Sequence, residues 1–455
     1  MTASTFGVLL TAIVLNASGV VSSPSSSKGS CDSVETGYRC NTQISHSWGQ
    51  YSPWFAVPSD IDLAPPKDCE VTFANVLSRH GGRDPTQSKT TTYHSLITSI
   101  QQSATAFPND YKFLQHYNYT LGADDLTDFG RQEMINSGKH FVNRYGKLVR
   151  KHTPFVRSAG QDRVVESAQK WLTGVAQSLK TQAKTIDVVI PEATTSNNTL
   201  SHDTCPAFED GPYSDLGSNA QKIWSSKFVP SIQKRINGAL GTNLTTASII
   251  NLMDLCPYDT IATLNTTRSP FCQLFTRDEW HSYDYYYTLN KFYGYNVGNP
   301  LGATQGAGYV NELLARLTET LVVDHTNTNT TLDADSATFP LHNKVYADFS
   351  HDNDMSGVFA ALGLYNNTML LNTTLESAEK TGFSAAWTVP FAARMYVEKL
   401  QCKHQKEEFV RVVVNDRVQS LAFCGGDKYG RCTLSRFAES QGFAKGGGNW
   451  EGCYI

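Results

Sequence analysis

The sequence predicts an α/β fold: a central, mainly parallel sheet flanked by helices, with a mainly α-helical subdomain inserted into it. Three observations predict it. Apolar runs of strand length pass into short polar loops and then into helical spacing at residues 70–105, 155–179 and 344–364. Those loops carry arginine, histidine and aspartate, and an open α/β sheet presents its ligand sites at the carboxyl ends of its strands. The middle of the chain, about 197–290, is polar and helical in pieces.

In chain order, residues 70–77 read as a buried strand, followed by a loop and a helix over 91–105. Residues 126–151 are helical in spacing, with Thr127 as N-cap. Phe155-Val156-Arg157 then repeats the strand-to-loop theme, and 164–179 is the helix behind it. Helical pieces at 220–239 and 249–256 form the inserted subdomain, which spans about 125–290. Residues 297–321 hold a Gly-rich turn and a helix from Tyr309, and 327–336 is a loop of Asn, Thr and Asp. A last strand at 344–349 leads to a helix at 354–364. Residues 409–415 and 418–423 pair as a hairpin through Asp416-Arg417. No internal repeat is found.

The strand at 70–77 runs into Arg79-His80-Gly81-Gly82-Arg83-Asp84-Pro85. Two arginines offer forked, permanently charged donors to phosphate oxygens. Their charge also keeps the imidazole between them neutral and nucleophilic in mildly acidic water. Gly81 is expected to let the backbone turn off the strand without a Cβ in the anion's way. Arg157 ends the second strand, and His351-Asp352 follow the third. Helix N-termini aimed at one point would add free N–H groups. Metal chemistry is the rival, but the chain has neither His-x-x-x-His nor His-Glu-x-x-His, and Asp352-x-Asp354 lacks calcium-loop spacing. No metal or other cofactor is expected. Serine-hydrolase elbows and Walker A loops are also missing.

Residues 1–23 hold an apolar core at 6–15 followed by small residues, which reads as a secretory signal peptide, although no Lys or Arg precedes Lys28. Ser-rich residues 24–30 are a leader remnant, and 31–455 is the working domain. Ten cysteines are compatible with five disulfides. Cys31/Cys40, Cys256/Cys272 and Cys424/Cys432 are close enough for local staples, whereas spacing leaves Cys69, Cys205, Cys402 and Cys453 unpaired. Asn118, Asn197, Asn243, Asn265, Asn329, Asn366 and Asn372 each begin a glycosylation sequon. A formal charge of −4 without a basic stripe argues against nucleic acid as a partner. No later segment is long and apolar enough to span a bilayer, so a secreted monomer acting on small molecules is expected.

Arg79-His80-Gly81-x-Arg83-x-Pro85 resembles the motif of the histidine acid phosphatases, whose superfamily includes the phosphoglycerate mutases. Residues 117–127, 269–280, Tyr293-Gly294-Tyr295, Asn299-Pro300-Leu301-Gly302 and Gly447-Gly448-Asn449-Trp450 resemble the fungal phytases, so the likeness covers 31–455. The resemblance implies hydrolysis of phytate and other phosphate monoesters through a phosphohistidine. It makes His80 the nucleophile, Asp352 the proton donor, and Arg79, Arg83, Arg157 and His351 the phosphate-binding groups. It also implies the pairs Cys69–Cys402 and Cys205–Cys453. A basic rim for a polyphosphorylated substrate would use Gln50, Tyr51, Lys89 and Asp259, with Thr92, His281 and Ser282 where lysines are expected, and Asp84 in place of a Tyr. That thinner rim points to weaker phytate preference, so a broad-specificity acid phosphatase is the alternative. A catalytically silent anion-binding glycoprotein is the reading from another class.

Overall fold

The computed structural model describes Met1 and residues 31–264, 267–368, 370–376 and 382–454. The expected signal peptide, the leader remnant and the Asn265 sequon lie outside the described residues. The strands are β1 (Cys69–Arg79), β2 (Phe155–Ala159), β3 (Val188–Ile190), β4 (Val345–Ser350), β5 (Arg394–Cys402), β6 (Phe409–Val414), β7 (Arg417–Val418) and β8 (Arg431–Thr433). The longer helices are α1 (Gln87–Ser103), α2 (Asp128–Val149), α3 (Asp162–Leu179), α4 (Leu216–Leu240), α5 (Thr246–Ile261), α6 (Arg277–Tyr295), α7 (Gly302–Thr318) and α8 (Asp352–Ala361).

The strands form one mixed sheet in the order β3-β2-β4-β1-β5-β6-β7, with β8 on β6. β3, β2, β4 and β1 are parallel neighbours. β5 turns the sheet antiparallel along the whole of β1. The mainly parallel expectation therefore describes the half that carries the loops of interest. β5 escaped the sequence reading because Arg394, Glu398 and Lys399 interrupt its apolar pattern. Each is accounted for by packing: Glu398 binds Arg144 and Arg411, Lys399 binds Glu408, and the Arg394 guanidinium lies 3.6 Å over the Trp54 ring.

Helices α2, α3, α7 and α8 cover the sheet and share its core through Phe141, Trp171, Leu313 and Phe359. Thr127 caps α2 by accepting from the Gly130 N–H at 3.1 Å. A second core gathers α1, α4, α5 and α6 around Ile97, Ile232, Met253 and Trp280. The helical layer thus includes α1, while α2 and α3, expected inside it, pack on the sheet. The Gly-rich stretch before Tyr309 is the first turns of α7, not a separate turn. A Cβ at Gly306 would come within 2.4 Å of the Gly357 carbonyl oxygen on α8, so the glycine serves close helix packing. The 409–423 hairpin shrinks to β6 and β7, joined through Asn415 and Asp416, both at positive φ.

Five disulfides staple the fold: Cys31–Cys40, Cys69–Cys402, Cys205–Cys453, Cys256–Cys272 and Cys424–Cys432. Cys69–Cys402 joins paired residues of β1 and β5. Among the described sequons, Asn118, Asn197, Asn243, Asn366 and Asn372 are exposed and Asn329 is half-buried. No helix among the described residues is long and apolar enough to cross a membrane.

Candidate active site

All four parallel strands deliver polar residues at their carboxyl ends. β1 passes into His80 and Arg83, β2 into the loop before Arg163, β3 into Glu192, and β4 into His351 and Asp352. His80 is 1% exposed, and its backbone N–H donates to the Ser350 carbonyl at 3.1 Å, which locks the ends of β1 and β4 together. Its Nδ1 lies 2.8 Å from the Gly81 carbonyl oxygen. A carbonyl can only accept, so Nδ1 carries the proton and Nε2 keeps a free lone pair. Burial, and then the charges of Arg79, Arg163 and Arg83, hold the imidazole pKa well below its ordinary value. His80 is thus held as a neutral imidazole with its Nε2 lone pair free.

Gly81 serves packing rather than a turn. A Cβ there would sit 2.5 Å from the Gly130 carbonyl oxygen on α2. The loop is held from below by two neighbours. The Gly81 N–H donates to the Ser167 hydroxyl at 3.1 Å, and the Gly82 N–H donates to Glu133 at 3.0 Å. Burial pushes the Glu133 carboxyl up to about 7.

Three arginines surround His80. Arg79 donates to the Gln50 and Val389 carbonyls, lies over Phe391, and reaches Asp352 at 3.5 Å. Arg83 donates to its neighbour's carbonyl at 2.8 Å. The third is Arg163, which sequence reasoning missed. Its Nη1 lies 3.7 Å from the half-exposed Asp124. Burial, and then the Arg83 charge, push its guanidinium pKa down to about 10. Arg79, Arg83 and Arg163 each keep a buried Nε without a partner among the described residues. A tetrahedral anion seated among them would satisfy such forked donors.

Arg157, the expected third arginine, is elsewhere. It lies within β2, 2% exposed, with Nε 2.8 Å from Asp348 and Nη2 2.6 Å from Glu312. Asp348 also binds Arg316 at 2.6 Å, so two arginines meet two carboxylates in a closed cluster. The Nε and Nη2 donors of Arg157 are committed to carboxylates inside the sheet layer. The signal that separates the two was position: Arg163 stands in the first turn of α3, beyond the strand end.

Asp352 opens α8 and meets Lys291 Nζ at 2.7 Å. Burial opposes its charge, but Arg79 and Lys291 hold its pKa well below the usual carboxylate range. In the ligand-free site Asp352 is therefore held as a carboxylate. Burial and the charges of Arg79 and Arg83 lower the Lys291 pKa, against the pull of Asp352. Lys291 was also missed, since one lysine inside an aromatic helix carries no motif. His351 faces His80 with ring centroids 5.6 Å apart, and its Nε2 contacts Glu192.

The rim residues divide. Gln50 is buried, and Tyr51 packs on Tyr258 and Tyr287. Lys89 lies 3.3 Å from Asp254, a fully buried carboxylate that also accepts from Tyr93, Tyr283 and Tyr287. Thr92 is exposed one turn along α1, bonded to the Ser88 carbonyl. Asp259 accepts from Tyr117. Asp84 is half-buried, and burial raises its pKa. His281 and Ser282 do not join this group. Ser282 is nine residues before Lys291, half a turn around the helix, and its carbonyl accepts from Trp224 of α4. His281 lines a separate cavity with His46, Asp284 and Trp387. The α6 cation beside the cradle is Lys291, which meets Asp352.

Residues 70–415 match the model of the histidine phosphatase superfamily (branch 2). The chain is 49% identical to Phytase A of Aspergillus awamori over 452 residues, 96% of each chain. It is 48% identical to Phytase A of Aspergillus fumigatus, over 99% of each. Among solved structures it resembles the phytase from D. castellii, with a TM-score of 0.74 at 21% identity, over 88% of this chain and 85% of that one.

Proposed function

The chain belongs to the histidine phosphatase superfamily (branch 2), and we propose that its cradle hydrolyses phytate and other phosphate monoesters through a phosphohistidine at His80. It is a phosphoric monoester hydrolase. The observation that carries the residue roles is the neutral His80, its Nδ1 proton held by Gly81, among three arginines with unused donors.

The phosphoryl oxygens dock against Arg79, Arg83, Arg163 and His351. The His80 Nε2 lone pair attacks phosphorus while the bond to the ester oxygen breaks. The leaving alkoxide takes a proton from Asp352. Asp352 is ionised in the free site, so that proton arrives with the substrate. A phosphate ester with its second pKa near about 6 enters as the monoanion in acid. Once the ester is bound, its charge beside the carboxylate favours Asp352 as the proton's resting place. In the second half, Asp352 takes a proton from water as the water oxygen attacks phosphorus, and the P–N bond returns its electrons to Nε2. Cationic donors aimed at the phosphoryl oxygens stabilise both transfers.

Five disulfides support secretion. Lys89 and Lys291 line the approach as cations, with Thr92 uncharged beside Lys89. That supports phytate turnover with broad tolerance for simpler esters. Assaying the purified protein on phytate and nitrophenyl phosphate at pH 5, with chelator, tests this reading. Turnover of both is expected, and no release of phosphate from either would overturn it.

A further inference from the structure

Glu192 is a carboxylate beside an anion-binding cradle, where a negative charge opposes the ligand. Its placement explains its presence. Both of its oxygens contact His351 Nε2, at 3.1 and 3.0 Å, and Oε1 also accepts from the Gln161 N–H at 2.9 Å. Gln161 is the N-cap of α3, two residues before Arg163. Glu192 therefore joins the residue that follows β4 to the helix start that follows β2. Burial opposes its charge, but the His351 hydrogen bond and charge, with the Gln161 N–H, leave its pKa lowered. It is held as an anion.

The backbone beneath it is built for this approach. Glu192 follows Ile190-Pro191 at the end of β3, and Asn198 donates to both the Ile190 and Pro191 carbonyls. Gly160 lets the β2 loop run alongside, since a Cβ there would lie 3.0 Å from the Ile190 carbonyl oxygen and 3.4 Å from the Glu192 nitrogen. We infer that Glu192 is a positioning residue, fixing the His351 ring and the start of α3 so that His351 and Arg163 address the same phosphoryl group. It touches neither substrate nor phosphorus. A misplacement of about 1 Å costs on the order of a hundredfold where reacting groups must be aligned.

The inference rests on the phosphohistidine reading, and its test separates the two. Glu192→Ala should lower kcat/KM by about thirty- to a hundredfold, equally for nitrophenyl and alkyl phosphates, because phosphoryl positioning does not depend on the leaving group. Glu192→Gln keeps an oxygen for the shared Oε1 position and should stay within about fivefold of the parent. Glu192→Asp, one methylene short, should lose about tenfold, and it carries the comparison should the alanine variant not fold. In proton NMR, the His351 Nε2–H signal of the parent should vanish in Glu192→Ala as in His351→Asn. A kcat/KM within twofold of the parent, or a loss confined to poor leaving groups, would overturn the inference. Absence of a phosphohistidine in the parent would instead strike the catalytic reading and leave the His351 signal test standing.

Discussion

Two arginine clusters draw on the same parallel strands, and they behave oppositely. In one, Arg157 and Arg316 meet Asp348 and Glu312, the Tyr309 hydroxyl donates to Asp348, and Asn75 accepts from Arg316. Its charges cancel inside the sheet layer. In the other, Arg79, Arg83 and Arg163 gather around His80, Lys291 meets Asp352, and each of the three arginines holds a buried Nε without a partner among the described residues. An unused Nε alone does not separate them, since Arg316 has one too. The difference is that Arg157 and Arg316 are held by carboxylates inside the sheet layer, whereas the cradle arginines gather at the strand ends around an imidazole. A closed cluster specifies packing, and an open one keeps its stabilisation for an incoming anion.

The largest expected effect separates the clusters by what fails. Arg157→Ala leaves Asp348 and Glu312 undercompensated and should cost about 3–5 kcal/mol of stability, read by denaturant unfolding. Arg163→Ala should leave the unfolding midpoint nearly unchanged while kcat/KM falls about 10²- to 10³-fold. The reverse assignment of losses would break the comparison.

A second contrast lies among the carboxyls. Asp352 is held low by the open cluster, whereas burial pushes Glu133 and Asp284 up to about 7 and Asp354 to about 6. These three bind protons more tightly folded than unfolded. Their contribution is complete below about pH 4 and is lost as pH rises through 6 to 7. The lowered imidazoles of His80 and His46 gain stability over the same range, so the carboxyl contribution is read by difference. Unfolding free energy of Asp284→Asn should fall less between about pH 4.5 and 7.5 than that of the parent. An unchanged pH dependence in Asp284→Asn would mean that this carboxyl ionises without penalty.

How much of this was legible follows from contiguity. The strand–loop–helix units and the Arg79–Pro85 motif are local in sequence, so periodicity and spacing expose them. Arg163, Glu192 and Lys291 are single charged residues that reach the site only through the strand order and the pitch of α6. Arg157 looked the better arginine because it ends an apolar run, but strand interiors turn their side chains into packed layers. β5 was hidden because Glu398 and Lys399 are paired with Arg144 of α2, Arg411 of β6 and Glu408 rather than solvated.

Smaller effects sharpen the picture of the cradle. Asp352→Asn should lower kcat about a hundredfold on alkyl phosphates and only a few-fold on nitrophenyl phosphate, whose leaving group departs unaided. Equal losses on both would remove Asp352 from proton donation. At the rim, Thr92→Lys should raise kcat/KM for phytate about threefold relative to nitrophenyl phosphate, the scale of an exposed charge pair. His281→Lys and Ser282→Lys should leave that ratio unchanged. A gain at Ser282 would contradict the orientation of α6.

The account stands most directly on the covalent intermediate. Acid-substrate trapping at low pH with a phosphorus-labelled ester, followed by peptide mapping, should place one alkali-stable phosphoryl group on His80, and none in His80→Ala. Full turnover with no label on His80, or label on another residue, would contradict it.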